Sequence, residues 1–66
     1  MKKIIFNGEE IEVASADVES LTLELNLSST GIAIECNKEI LPKSEYAKKL
    51  INSGDVFEVV QFVGGG

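Results

Sequence analysis

Near the start of the chain, Lys3-Ile4-Ile5-Phe6 and Glu10-Ile11-Glu12-Val13 flank Asn7-Gly8. Asn-Gly between two such runs predicts a two-residue β-hairpin, because both central positions of a type I′ turn need positive φ. That loop length sets Ile4 opposite Ile11 on one face, with Lys3 opposite Glu12 and Ile5 opposite Glu10 on the other. Apolar residues then meet inward and opposite charges meet outward.

After the hairpin the period changes. Asp17 is a suitable N-cap, and Val18, Leu21 and Leu25 recur at helical spacing with Glu19 and Glu24 turned outward. One amphipathic helix of two to three turns is predicted, closed by Ser28-Ser29-Thr30-Gly31, with Leu23 off the apolar stripe and partly exposed. Ile32, Ile34 and Cys36 alternate with Ala33, Glu35 and Asn37, which reads as a third strand with Cys36 on its core side. Ile40-Leu41-Pro42 predicts a brief edge strand. Lys43 to Leu50 suggests a helical turn or two, with Tyr46 and Leu50 facing inward at i and i+4. Ser53-Gly54-Asp55 is a turn, and Val56 to Val63 forms a final strand. Being apolar on both faces, that strand belongs in the middle of its sheet or offers its second face to a partner.

At 66 residues, 44% of them hydrophobic, the chain is a single globular domain near the lower size limit for an unstapled core. The folded body is assigned to residues 1–63 and a flexible glycine tail to residues 64–66. No run approaches the roughly 20 apolar residues of a membrane span, and the N-terminal stretch lacks a signal-peptide pattern, so a cytosolic protein is expected. Cys36 is the sole cysteine and histidine is absent. These counts argue against a disulfide framework, a zinc or redox-iron site, and Ser–His or Cys–His catalysis within the chain. Cys36 fits a small buried hydrophobe better than a sulfur relay. A net charge of −5 and a complete lack of arginine disfavour nucleic acid. They suit a basic partner surface.

The sequence closes on Phe62-Val63-Gly64-Gly65-Gly66, with half of its six glycines in the last three positions. Such a tail is slim enough to enter a narrow slot and extends about 10 Å, so it could deliver a terminal carboxylate into another protein's active site. A frayed terminus or an expression remnant would look the same.

The order of elements, hairpin, helix, strand, short strand, turn and final strand, is that of the α+β β-grasp (ubiquitin-like) fold: one main helix on a mixed four- to five-stranded sheet. The whole chain resembles the ThiS family, the sulfur carriers of thiamine (thiazole) biosynthesis. The likeness is carried by Ile4-Ile5-Phe6-Asn7-Gly8, by Asn37 through Tyr46, by Gly54-Asp55, and by Val59-Val60-Gln61-Phe62-Val63-Gly64-Gly65-Gly66. Lys43 and Tyr46 stand where arginine and tryptophan are more usual, and three glycines replace the commoner two.

The resemblance implies a carrier that performs no catalysis itself. A ThiF-like activating enzyme would use ATP and Mg to adenylate Gly66, and a sulfur donor such as a cysteine desulfurase would convert it to a thiocarboxylate. A ThiG-like thiazole synthase would then take the sulfur. This chain would bind no cofactor of its own and no nucleic acid or membrane. Gly64 and Gly65 would thread the partner's slot. Phe57 and Val59 are assigned to the core under the helix, and Val60 and Phe62 are candidates for a docking face, or for further core. Other readings are a small subunit of molybdopterin synthase, a ubiquitin-like modifier, and a plain interaction module.

Overall fold

The computed structural model describes residues 1–27 and 31–61. Five strands form one sheet: β1 (Lys2–Phe6), β2 (Glu9–Val13), β3 (Ile32–Cys36), β4 (Glu39–Leu41) and β5 (Val56–Gln61), with helix α1 (Val18–Glu24) between β2 and β3. Their spatial order is β2-β1-β5-β3-β4, with β5 parallel to β1 and every other pairing antiparallel. This is a ubiquitin-like β-grasp. The last strand is central, as its two apolar faces predict, and the hairpin register is the expected one, with Ile4 opposite Ile11, Lys3 opposite Glu12 and Ile5 opposite Glu10. Asn7 and Gly8 take φ of 49° and 85°, the positive values that a type I′ turn needs.

Helix α1 starts where Asp17 accepts the Ser20 N–H at 2.7 Å. The Val18 and Glu19 N–H groups donate to the carbonyls of Lys49 and Tyr46, so the first turn leaves no donor orphaned. Asn26, at φ 57°, ends the helix: its N–H reaches the Leu23 carbonyl, and the Leu27 N–H reaches that of Thr22 at 2.8 Å. This is a Schellman close with asparagine in the left-handed position. The stop therefore comes before the Ser-Ser-Thr-Gly run to which the sequence assigned it, and residues 28–30 lie outside the described ones.

Val18 and Leu21 pack with Ile4, Val13, Ile34, Cys36, Ile51 and Phe57 into one core between helix and sheet. Cys36 is buried, on the predicted face. Two expectations need correction. Leu50 points to solvent, 62% exposed, and Ile51 takes the core position at 2%. After a short 3-10 helix (Lys43–Glu45), the chain straightens at Lys49 and runs beside Ala16–Val18, with the Ile51 N–H donating to the Ala16 carbonyl at 2.9 Å. In extended backbone successive side chains alternate sides, so i and i+4 no longer share a face. Asn37 leaves strand β3 as well. With Lys38 it forms a second turn of positive φ, 52° and 73°, that joins β3 to β4.

Candidate functional site

Strand β5 is anchored at its start from both neighbours. On the β1 side, the N–H groups of Ile5 and Asn7 donate to the carbonyls of Asp55 and Phe57, each at 2.9 Å. The Asn7 side chain then accepts the Val59 N–H at 2.7 Å. On the β3 side, the Asn37 N–H donates to the Val56 carbonyl at 2.7 Å and its side-chain oxygen accepts the Val56 N–H at 2.9 Å. Asn37 also donates to Asp55, whose other carboxylate oxygen caps the Asn52 N–H. These two asparagines clasp the central strand. The sequence marked Asn7 as a turn residue, but its reach across to β5 depends on a parallel pairing between chain ends that local pattern does not reveal.

The sheet face away from the helix has no layer over it among the described residues. Strand alternation sets Val56, Glu58 and Val60 of β5 on that face, beside Ile5 of β1, Ala33 and Glu35 of β3, and Ile40 of β4. Val60 is 52% exposed and Ile40 73%. Phe57 is fully buried on the opposite face and Val59 packs against the core, as assigned from sequence. Val60 therefore sits outside the core, on an open surface, within a patch bordered by Glu10, Glu12, Glu35 and Glu58. Phe62, Gly64, Gly65 and Gly66, the other candidate site residues, lie outside the described ones.

A groove of about 480 Å³ opens beside the far end of β5, lined by Phe6, Asn7, Asn26, Leu27, Ile32, Val59 and Gln61. Cys36 is no match for a nucleophile's environment: burial pushes its thiol pKa up, the nearby Lys49 lowers it in part, and Asp55 and Glu39 raise it further. Among the described residues, no three of His, Cys, Asp or Glu gather where they could share a metal ion, and no helix is long and apolar enough to cross a membrane.

Comparison with known proteins decides the family. The ThiS family model matches residues 4–66. The chain belongs to the ThiS family. The sulfur carrier protein ThiS of Escherichia coli is 28% identical over 65 residues, a match that takes in 97% of this chain and 98% of the relative. A thiazole synthase of Paramagnetospirillum magneticum is 49% identical over 65 residues, and the chain spans only 20% of that relative's length. The crystal structure of a thiamine biosynthesis protein (ThiS) from Geobacter metallireducens is similar with a TM-score of 0.82 and 26% identity, over 97% of this chain and 99% of that one.

Proposed function

We propose that this chain is a sulfur carrier for the thiazole of thiamine, and that its working group is the carboxyl of Gly66. The observation that carries the reading is the family match, which runs from Ile4 through the glycines to Gly66 and includes a named sulfur carrier of nearly equal length. The thiazole synthase relative favours the thiazole pathway over that of molybdopterin.

A C-terminal carboxylate ionises at a pKa of about 3.3–3.7 and is a poor acyl donor at neutral pH. A ThiF-like enzyme, with ATP and Mg, joins it to AMP and releases pyrophosphate. Sulfide then displaces AMP to leave a thiocarboxylate on Gly66. Where the donor is a cysteine desulfurase, its persulfide displaces AMP to form an acyl disulfide, and a thiol reductant cleaves the S–S bond to release the thiocarboxylate. Sulfur in that position is the softer nucleophile and passes to a ThiG-like thiazole synthase. The metal and the cationic groups that handle phosphate belong to the activating enzyme. The ATP and reduced sulfur it draws on are those of the cytoplasm, where we place the carrier.

Gly64 and Gly65 keep the approach to that carboxyl free of side chains, while Val60, on the open sheet face, and Phe62 meet the partner. Incubation with the activating enzyme, ATP and a sulfide source, followed by intact-mass analysis, tests the reading. Replacement of one oxygen by sulfur at Gly66 supports it. A mature protein in which residues follow Gly66, or a carboxyl that is never adenylated, overturns it, and conjugates on lysines of larger proteins would mark a modifier instead. Gly65→Ala is expected to lower adenylation while leaving the unfolding midpoint unchanged, since its methyl group would crowd a slot that admits backbone alone.

A further inference from the structure

The two edges of β5 are not equally occupied. On the β3 side the antiparallel pairing runs the length of the strand, as far as Ile32 opposite Gln61. On the β1 side it covers only Val56 and Phe57, opposite Ile5 and Phe6, because the Asn7-Gly8 turn then carries the chain away to β2.

Which backbone groups this leaves open follows from the bonds themselves. Val56 exchanges bonds with Asn37 toward β3, whereas Asp55 and Phe57 accept from β1 and Val59 donates to Asn7. Odd-numbered residues of β5 therefore turn their N–H and C=O toward β1. Past the Asn7 side chain, the Val59 carbonyl and the Gln61 N–H face a position where, among the described residues, no strand lies. The groove sits there, with Phe6, Ile32, Val59 and Leu27 as apolar lining and the amides of Asn7, Asn26 and Gln61 among them.

We propose that this gap is a docking slot for an extended, uncharged main-chain segment of the activating enzyme, which pairs with Val59 and Gln61 as a short added strand. The inference rests on the carrier reading and names the contact that would hold the chain as residues 62–66 enter the enzyme. Two features choose the occupant. A carbonyl and an N–H two residues apart along one edge, roughly 7 Å of strand, match the repeat of an extended backbone. No charged residue is among those lining the groove, whereas the sheet's outer face carries Glu10, Glu12, Glu35 and Glu58, so charged partner groups suit that face and a neutral backbone suits the slot.

Gln61→Pro removes the one N–H in question. Proline is tolerated in strands where its nitrogen faces away from a partner strand, and at position 61 the β3 pairing does not use that nitrogen. Gln61→Ala removes the side chain and keeps the N–H. With the activating enzyme and MgATP, ATP–pyrophosphate exchange is expected to show an apparent KM about tenfold higher for Gln61→Pro, and less than about threefold higher for Gln61→Ala. In parallel, hydrogen exchange at the Gln61 amide of the unmodified chain is expected to slow at least about tenfold when the enzyme is added. Equal KM values for the two variants together with unchanged exchange overturn the slot and leave the carrier reading standing. An unmodified chain that is never adenylated overturns both. Protection of Gln61 in the free chain at rising concentration assigns the edge to a second copy and overturns the proposal.

Discussion

The first and second halves of β5 belong to the same strand and do different work. Val56 and Phe57 have β1 on one side and β3 on the other, Phe57 is fully buried, and Asn7 and Asn37 grip the backbone from both flanks. Among the described residues Val60 and Gln61 have β3 alone, and Val60 is half exposed. A small domain must commit its few buried positions to holding itself together, and the first half meets that need. The second half, next to the glycines, leaves surface and backbone open, and it is there that we propose another protein docks. The most informative variants are those that ask whether the division is real.

Removing the anchor of the first half is expected to have the largest effect. Phe57→Ala takes a fully buried ring from the centre of the core, a change that costs about 3–5 kcal/mol. Stabilities of about 5–15 kcal/mol are usual for whole domains, so urea titration should show a chain close to unfolded. A loss below about 1 kcal/mol would show that the first half is no scaffold.

The asparagine clasps come next. Asn37→Ala deletes two side-chain hydrogen bonds and leaves alanine at φ 52°, for a loss of about 2 kcal/mol. Asn37→Gly relieves the backbone strain and should recover about 1 kcal/mol of it. Asn7→Ala breaks the single bond to Val59 and also places alanine at positive φ, so its effect should be smaller, and its exchange signature should be confined to the far end of β5. If both variants loosen the whole strand alike, the two halves are one mechanical unit.

Much of this was legible from residues near one another in sequence. The hairpin register followed from Asn7-Gly8 and alternation, the N-cap from Asp17, and the central place of β5 from its two apolar faces. What escaped prediction depended on contacts between distant segments. Leu50 was set inward because Lys43–Leu50 looked helical, but hydrogen bonds to Ala16 and from Val18 draw Lys49–Ile51 into an extended path that turns Ile51 in instead. The helix stop at Asn26 was hidden for a simpler reason: asparagine in the left-handed position is weaker punctuation than the Ser-Ser-Thr-Gly run just after it. For the candidate site, alternation set Val60 opposite Phe57 and Val59, whereas the open edge at Gln61 depends on where β1 ends in space.

A weaker, pH-dependent effect bears on the wall of the second half. The Glu24 carboxylate accepts from the N–H groups of Ala14 and Ser15 and from the Ser15 hydroxyl, tying the end of α1 to the segment after β2. Asn26 and Leu27, which follow directly, line the groove. The Ser15 hydroxyl bond first, and then the bond from Ala14, hold the Glu24 pKa below its ordinary 4.5, against an opposing desolvation. A carboxyl whose folded pKa is depressed contributes stability that is present above the unfolded value and lost as pH falls through the folded one. Acidification below about pH 4.5 should therefore speed amide exchange at Asn26 and Leu27 before it affects Val56 and Phe57. Glu24→Gln should weaken that pH dependence. Simultaneous loosening at both places would show that the wall and the scaffold open together.

The smallest change in stability is expected from Val60→Ser, and it makes the sharpest cut between the two halves. Val60 and Phe57 are three residues apart in one strand, yet they lie on opposite faces, one half exposed and the other sealed. Serine at position 60 keeps the backbone pairing to Ala33 and removes only apolar surface that already meets water. The unfolding free energy should move by no more than about 0.5 kcal/mol. Apolar surface that is covered only in the complex contributes about 25 cal/mol per Å², so its loss should appear instead as a weaker apparent affinity for the activating enzyme. A stability loss comparable to that of a core truncation would place Val60 in the scaffold, and the outer face would then end at Ile40 and Val56. Unchanged stability with unchanged affinity would leave Val60 out of both halves' work and shift the docking surface toward the slot at Gln61.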